Sequence, residues 1–451
     1  MSKQKIQLSD HFDYSRLLRF VLPCVGTMLF TSIYGIVDGL CVSNFVGKTA
    51  FAAVNLIMPV PMLVGSVGFM LGTGGSAIVG ITLGEGDQKK ADRYFTLFLL
   101  AALISVSVLA VLGIVFLRPI AVLLGAKGEL LDYAVRYGRI LMVSLPTFAL
   151  QNMFQSFFVT AEKPHLGFWF TVGAGCTNMV LDVLMVGIWG WGVEGAAIAT
   201  FISQLVGGVL PVFYFIDRSN SSRLHLCKTS FYSKVLRDAC INGSSELMTN
   251  LSMSLVNILY NYQLLRFAGE NGVAAYGVIM YAAFLFVAVF VGYAVGSAPI
   301  VSYHYGARNH AELNNLYSKS LRLIGVIAVV MTALSMLVIP YVARIFVGYD
   351  AELLALTSHA FRVYALNFFL MGFNVYGSSF FTALGDGVTS ALISFLRTLL
   401  FQLLALIFLP MVLGIEGVWL AVTAAEAGAL CVTVLMFITK DKVFHYRKAS
   451  C

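Results

Sequence analysis

The chain has 451 residues, 59% of them hydrophobic and only 11% charged, where soluble domains carry about 25% charged residues; a soluble globular protein is excluded, and lipid is the solvent of most of the chain. The formal charge of +7 is no nucleic-acid footprint, because the basic residues are confined to short connections between apolar runs. The seven cysteines, at 24, 41, 176, 227, 240, 431 and 451, form no CxxC and no Cys/His cluster, so they read as small apolar residues rather than metal ligands or a disulfide framework.

The first nineteen residues are polar and mixed in charge, without the short apolar core and small-residue cleavage site of a signal peptide. From there, uncharged runs predict twelve helices, near residues 17–43, 50–82, 94–117, 132–159, 166–188, 194–216, 237–265, 272–303, 320–343, 360–383, 388–411 and 417–438. Most are long enough to cross a hydrocarbon core of about 30 Å, which takes roughly 20 residues at about 1.5 Å each. Turn chemistry fills the breaks, as in Gly84-Glu85-Gly86-Asp87, Gly306-Ala307-Arg308-Asn309 and Gly385-Asp386-Gly387. The one long polar connection, Asp217–Lys234, divides an amino-terminal six-helix lobe (1–216) from a carboxy-terminal one (237–439), with a linker (217–236) between them and a short tail (440–451) after. Counted by side, twenty Lys and Arg accompany the termini, eight lie opposite and Arg397 is inside a helix. That asymmetry puts both termini in the cytoplasm of a multi-pass protein of the cell membrane.

The chain repeats itself. A shift of 222 residues lays Phe45–Met58 on Phe267–Met280 with six of fourteen positions identical. The same shift, without gaps, puts Gly84 on Gly306, Phe158, Thr160 and Ala161 on Phe380, Thr382 and Ala383, and Glu194-Gly195 on Glu416-Gly417. Six spans per copy is an even number, so the copies share an orientation and are related by an axis along the membrane normal. The predicted fold is therefore an all-α polytopic membrane protein, twelve transmembrane helices in two six-helix lobes related by a parallel internal repeat.

Ionisable residues inside such helices are costly and mark functional sites by default. Asp38 follows eighteen uncharged positions, Phe20–Val37, and precedes five more. A buried carboxyl favours its protonated form, and a second one close by favours it further. In the second lobe Glu246, Arg397 and Glu426 also fall within spans. Arg397 and Glu426 are expected to form an internal ion pair, or else to serve substrate or gating, and Glu246 to be a second ion or substrate site. Gly65, Gly68, Gly72, Gly74 and Gly75 crowd the second helix, for close packing or for bending.

The pattern Ser32-Ile33-Tyr34-Gly35-Ile36-Val37-Asp38, Phe45-Val46-Gly47, Ala52-Ala53-Val54, the Gly84–Ala91 loop and Glu416-Gly417-Val418-Trp419-Leu420-Ala421 resembles the multidrug and toxic compound extrusion (MATE) family over about Leu17–Ile438. The resemblance implies two six-helix lobes around a central cavity and cation-coupled efflux of amphipathic, often cationic, compounds. In the DNA-damage-inducible (DinF-like) branch the amino-terminal lobe holds an Asp on the first helix, an Asn and an Asp four residues apart on the fifth and a Thr on the sixth; by that motif the positions are Asp38, Asn178, Asp182 and Thr200. Asn178 and Asp182, at i and i+4, share a helix face, and all four can lie at one depth near the outer ends of their helices. Their repeat partners are Tyr260, Leu400, Leu404 and Val422, so the site is one-sided. The oxygens suit a proton or, equally, Na⁺ at Asp38, Asn178 and Asp182. Other family branches pair the acid of the seventh helix with one on the tenth, which is absent here.

The expected function is thus a monomeric H⁺- or Na⁺-coupled antiporter exporting small organic cations by alternating access, without cofactor, resident metal or nucleic-acid partner. The alternative is a flippase for lipid-linked saccharides of the same superfamily, whose cavity would carry more Arg and Lys. A major-facilitator transporter is disfavoured because Glu85–Arg93 does not match that group's loop signature. No cluster of catalytic groups or nucleotide loop supports an enzyme.

Overall fold

The computed structural model describes residues 6–46, 48–348 and 350–447. Lys3, Lys5, Gly47, Lys448 and Cys451 of the sequence reading lie outside the described residues, as do the side chains of Cys41 and Lys48.

Among the described residues the secondary structure is helical, and nine helices are long and apolar enough to cross a membrane. One of them, Ser233–Gly306, breaks at Gly269 (φ 59°, ψ −150°) and holds two crossings. Only a residue without a Cβ adopts that conformation readily, so the seventh and eighth spans join through a corner rather than a loop. Ala351–Ala365 and Phe368–Ala383, bent by 46°, make another crossing. Gly128–Thr160, with Glu129, Asp132, Arg136 and Arg139 gathered at one end, completes the twelve expected spans. The predicted second helix differs in detail: a short helix, Lys48–Ile57, precedes Pro59–Gly84, and the break falls at the proline, whose ring cannot continue the preceding hydrogen-bond ladder.

The repeat is visible in local chemistry. Asp87 and Asn309, at equivalent positions, cap the third and ninth spans by accepting the backbone N–H of Lys90 and Glu312. It also governs how the lobes meet. A Cβ built on Gly84 would lie 2.0 Å from the Tyr303 carbonyl oxygen, and one on Gly306 would lie 2.0 Å from that of Ile81; residues 81 and 303, like 84 and 306, are repeat partners. Likewise Gly74 meets Gly243 and Gly296 meets Val21. The second and eighth spans therefore cross backbone to backbone about a pseudo-twofold axis, on the side of the termini. Further along, the second span leans on its own lobe, Gly65 on Phe148 and Gly68 on Ala149. The glycine stripe is a close-packing surface.

Two segments tie the lobes together on the terminus side. The linker packs under the first lobe: His225 N donates to Asp92, Cys227 N to Thr96, and Leu224 is fully buried. The amino-terminal segment bridges both lobes, with Leu8 and Phe12 fully buried. Leu8 N donates to Glu162 Oε1 at 2.9 Å, while Phe12 N donates to Glu312 Oε1 at 2.9 Å and His11 Nδ1 lies 2.6 Å from Glu312 Oε2. Glu162 is held in turn by Arg223 of the linker at 2.7 Å.

Candidate functional site

The first polar centre lies within the amino-terminal lobe. Tyr14–Phe45 carries Asp38 near its far end, and Pro164–Asp182 carries Asn178 and Asp182 one turn apart. Directly after Asp182 the helix widens into a π-helical stretch, Val183–Ile188, an irregularity found often at functional sites. Asn178 and Asp182 are buried at 2% and 0% exposure. The carboxyl of Asp38 sits within hydrogen-bonding reach of that of Asp182. No N–H or O–H of the described residues reaches Asp38 Oδ1 or either oxygen of Asp182. Two carboxylates offer each other acceptors only, so their contact becomes a hydrogen bond when one carries a proton.

Asn178 adds an amide whose Nδ2 has no acceptor among the described residues. Thr200 is half-buried on Gly192–Gly208 and donates its hydroxyl to Ala196 O at 3.0 Å, within its own helix; only its lone pairs remain for an ion. Tyr137, buried on the fourth span, stands close enough to both carboxyls to feel their charge. Its place in the sequence gives no hint of this. Tyr34, one turn before Asp38 on the same helix face, is the neighbour that spacing could have revealed.

The second centre lines a cavity of about 340 Å³ within the carboxy-terminal lobe, to which the first lobe contributes only Thr73, Ser76, Ala77 and Ser156. Arg397 Nε donates to Glu426 Oε1 at 2.8 Å, the ion pair expected from the sequence. Glu426 is fully buried, and its other oxygen accepts from Asn374 Nδ2 at 2.7 Å. Asn374 Oδ1 in turn takes the hydroxyl of Thr433 at 2.8 Å. A search for a second acid on the tenth span passes over Asn374; the buried polar group there is an amide serving the twelfth span's acid. Glu246 opens onto the same cavity and has no hydrogen-bond partner for its carboxyl among the described residues, while Arg397 is within electrostatic range. Tyr260, Tyr276 and Tyr364 also line it, with Tyr260 stacked on Tyr276 at 4.8 Å, among mostly aliphatic and methionine side chains. Arg397 again sits in a π-helical stretch, Leu396–Leu400.

The comparisons agree with this architecture. The chain is 20% identical over 434 residues to the multidrug export protein MepA of Staphylococcus saprophyticus, and 21% identical over 432 residues to that of Staphylococcus aureus, covering 95% of both chains in each case. A crystal structure described as MATE in complex with MaL6 superposes with a TM-score of 0.91 at 25% identity, covering 98% of this chain and 100% of that one. The MatE family model matches residues 23–184 and 247–407, one segment in each lobe. With two six-span lobes about a pseudo-twofold axis and a match through most of both, this chain belongs to the MatE family of membrane transporters.

Proposed function

We propose that this protein exports amphipathic organic cations in exchange for protons, by alternating access, with its termini in the cytoplasm. The curated relatives are named multidrug export proteins, and that activity is the one carried over. The observation that bears the reading is the contact of Asp38 and Asp182 in a buried site where, among the described residues, nothing else donates to Asp182 or to Asp38 Oδ1. Such a pair holds one proton well and two negative charges poorly. In the outward-open state the pair takes up a proton, hydrogen bonds among the first, fifth and sixth spans rearrange, and affinity for the cation falls. The lobes then rock about the crossing of the second and eighth spans. Na⁺ is the second reading for the same oxygens. It is less suited to two carboxyls already at hydrogen-bond range, because a hard cation wants several oxygens at 2.3–2.6 Å or so around it. The flippase reading is set aside: the cavity's formal charges are Glu246, Glu426 and Arg397, net acidic rather than basic.

The test is efflux of a fluorescent organic cation from proteoliposomes, with a proton gradient and a Na⁺ gradient imposed separately. Proton-driven efflux that vanishes in Asp38→Asn, with the protein still folded, is the expected result. Efflux driven by Na⁺ alone would overturn the proton assignment. Full proton-coupled activity in Asp38→Asn would remove the pair from the mechanism.

A further inference from the structure

The side chain of Arg397 is engaged at one edge only. Glu426 has both oxygens committed, one to Arg397 Nε and one to Asn374, so it fixes the guanidinium from behind. The two terminal amino groups have no acceptor among the described residues. They are not sealed off either: the side chain keeps 13% exposure and lines the cavity. Their N–H bonds form the planar fork that matches a carboxylate through two parallel hydrogen bonds. Glu246, also unpartnered, opens onto the same space. The cavity therefore offers one free anionic group and one free cationic edge within a largely apolar wall.

We infer that Arg397 is an anion-receiving subsite of the cargo cavity, so that the preferred cargo is zwitterionic: a carboxylate, or a planar group of like charge, on the Arg397 fork, and an amine or quaternary nitrogen toward Glu246. The reason is the cost of the alternative. A purely cationic cargo that fills the cavity displaces water from the fork and leaves its N–H groups without acceptors, and an orphaned buried donor is penalised more than a made hydrogen bond is rewarded. A bare anion would face Glu246 and Glu426. A zwitterion satisfies both ends and leaves the formal charge of the cavity unchanged. This inference deepens the export reading and rests on it only for the word cargo, because the binding itself can be measured at equilibrium.

The test uses a matched pair of ligands, a rhodamine with a free benzoate, which is a zwitterion, and the methyl ester of the same dye, which is a monocation. Binding to the purified full chain in lipid nanodiscs is read by fluorescence polarisation. The free acid should bind at least about tenfold more tightly than the ester, the scale of a charge-assisted hydrogen bond. Arg397→Lys keeps the charge beside Glu426 and removes the two-pronged fork, so it should weaken that preference severalfold without removing it, because a lysine still meets a carboxylate as a point charge. If Arg397→Lys does not fold, the double variant Arg397→Gln with Glu426→Gln replaces the ion pair by neutral amides and should lose the preference altogether. Equal binding of acid and ester by the parent protein overturns the subsite and leaves the exporter standing if the ester is still transported. An undiminished acid preference in either variant overturns the assignment to Arg397. Binding of neither dye overturns the subsite as well, independently of the proton-gradient experiment.

Discussion

A single methyl group at the crossing of the second and eighth spans should unlatch the lobes on the terminus side. In Gly84→Ala the new Cβ would stand 2.0 Å from Tyr303 O and 2.7 Å from Ala307 N; in Gly306→Ala it would stand 2.0 Å from Ile81 O. Both obstacles are backbone atoms of a packed helix, which cannot swing aside as a side chain can, and a Cβ contact under 3.0 Å is essentially never tolerated. The helices must separate by about 1 Å, and overpacking of this kind costs about 1–3 kcal/mol. That penalty falls on the terminus-closed state, so the ratio of open to closed should rise roughly fivefold to 150-fold. Cys24 reports the change: it is buried at 4% exposure on the first span, with its sulfur against Gly296 of the eighth. In a chain whose other cysteines are replaced by serine, labelling of Cys24 by a small polar maleimide in detergent should accelerate in both variants, and to a similar extent because the two sites are symmetry partners. Gly65→Ala clashes with Phe148 inside one lobe, and Gly35→Ala meets nothing within 4 Å; neither should accelerate labelling. Parent-like labelling of Cys24 in both Gly84→Ala and Gly306→Ala would refute the idea that this crossing holds the lobes shut.

Three further outcomes follow from the polar contacts. Glu312→Ala removes the acceptor for Phe12 N at 2.9 Å, as well as for His11 and for one of the two N–H bonds of Asn315 Nδ2, which keeps the Phe12 carbonyl; leaving Phe12 N unpaired should cost about 1–3 kcal/mol, with little from the exposed histidine, and should make the amino-terminal segment cleavable by added protease before the bundle melts. Glu426→Ala strands the Arg397 charge and should lower stability by about 3–5 kcal/mol, read as a large drop in melting temperature, whereas Glu426→Gln should lose less because the amide still accepts from Asn374 or Arg397. Burial alone would raise the Asp386 carboxyl, but hydrogen bonds from Lys440 at 2.7 Å and from Thr389 hold it below the ordinary carboxylate value. Its stabilising contribution is therefore complete above the unfolded-state value of about 4 and is lost as pH falls through the lower folded value. Lys440→Met should melt earlier than the parent at neutral pH and converge with it in acid; a constant gap at all pH values would exclude that linkage.

Most of the architecture was legible because lipid imposes a simple code: uncharged runs must be helices, and the gap-free shift of 222 residues gave the arrangement of the two copies. What the runs could not show was how the helices are interrupted. Ser233–Gly306 is two helices, as the sequence reads, but they meet directly at Gly269 with no loop between them. Asp38 was legible because an intramembrane acid stands out against apolar neighbours, whereas Asn178 and Asp182 were singled out by the family resemblance, their i, i+4 spacing showing only that they share a face. Tyr137 and Asn374 were not legible, because an uncharged polar residue in a span is as often helix-to-helix glue as part of a site. The bridging role of residues 6–13 was hidden for another reason: Leu8 and Phe12 form no periodic pattern, and their burial depends on Glu162 and Glu312, distant in sequence and one in each lobe.

The repeat also accounts for why the two polar centres differ. Under the shift of 222 residues Asn374 and Glu426 fall on Asn152 and Gln204, both buried. The first lobe thus keeps the amide skeleton of the second lobe's network and omits its charge. The position equivalent to Arg397 is Gly175, where even a Cβ would lie 2.5 Å from the ring of Phe30 and 2.9 Å from that of Tyr34. No guanidinium fits there, and a buried glutamate without one would be an uncompensated charge, which is consistent with glutamine at 204. Tyr34 fills that space one turn before Asp38, so the packing that keeps a permanent cation out of the first lobe is the packing beside its acid pair. Without a cation, two adjacent buried carboxyls can be relieved only by a mobile one, a proton or a small metal ion. In the second lobe Tyr260 and Leu404 replace the acids, and Arg397 balances Glu426 permanently. The pairing among the described residues therefore differs between the lobes: in the first, two acids face each other with no arginine beside them, and in the second, Glu426 is neutralised in place by Arg397 while Glu246 stays unpaired.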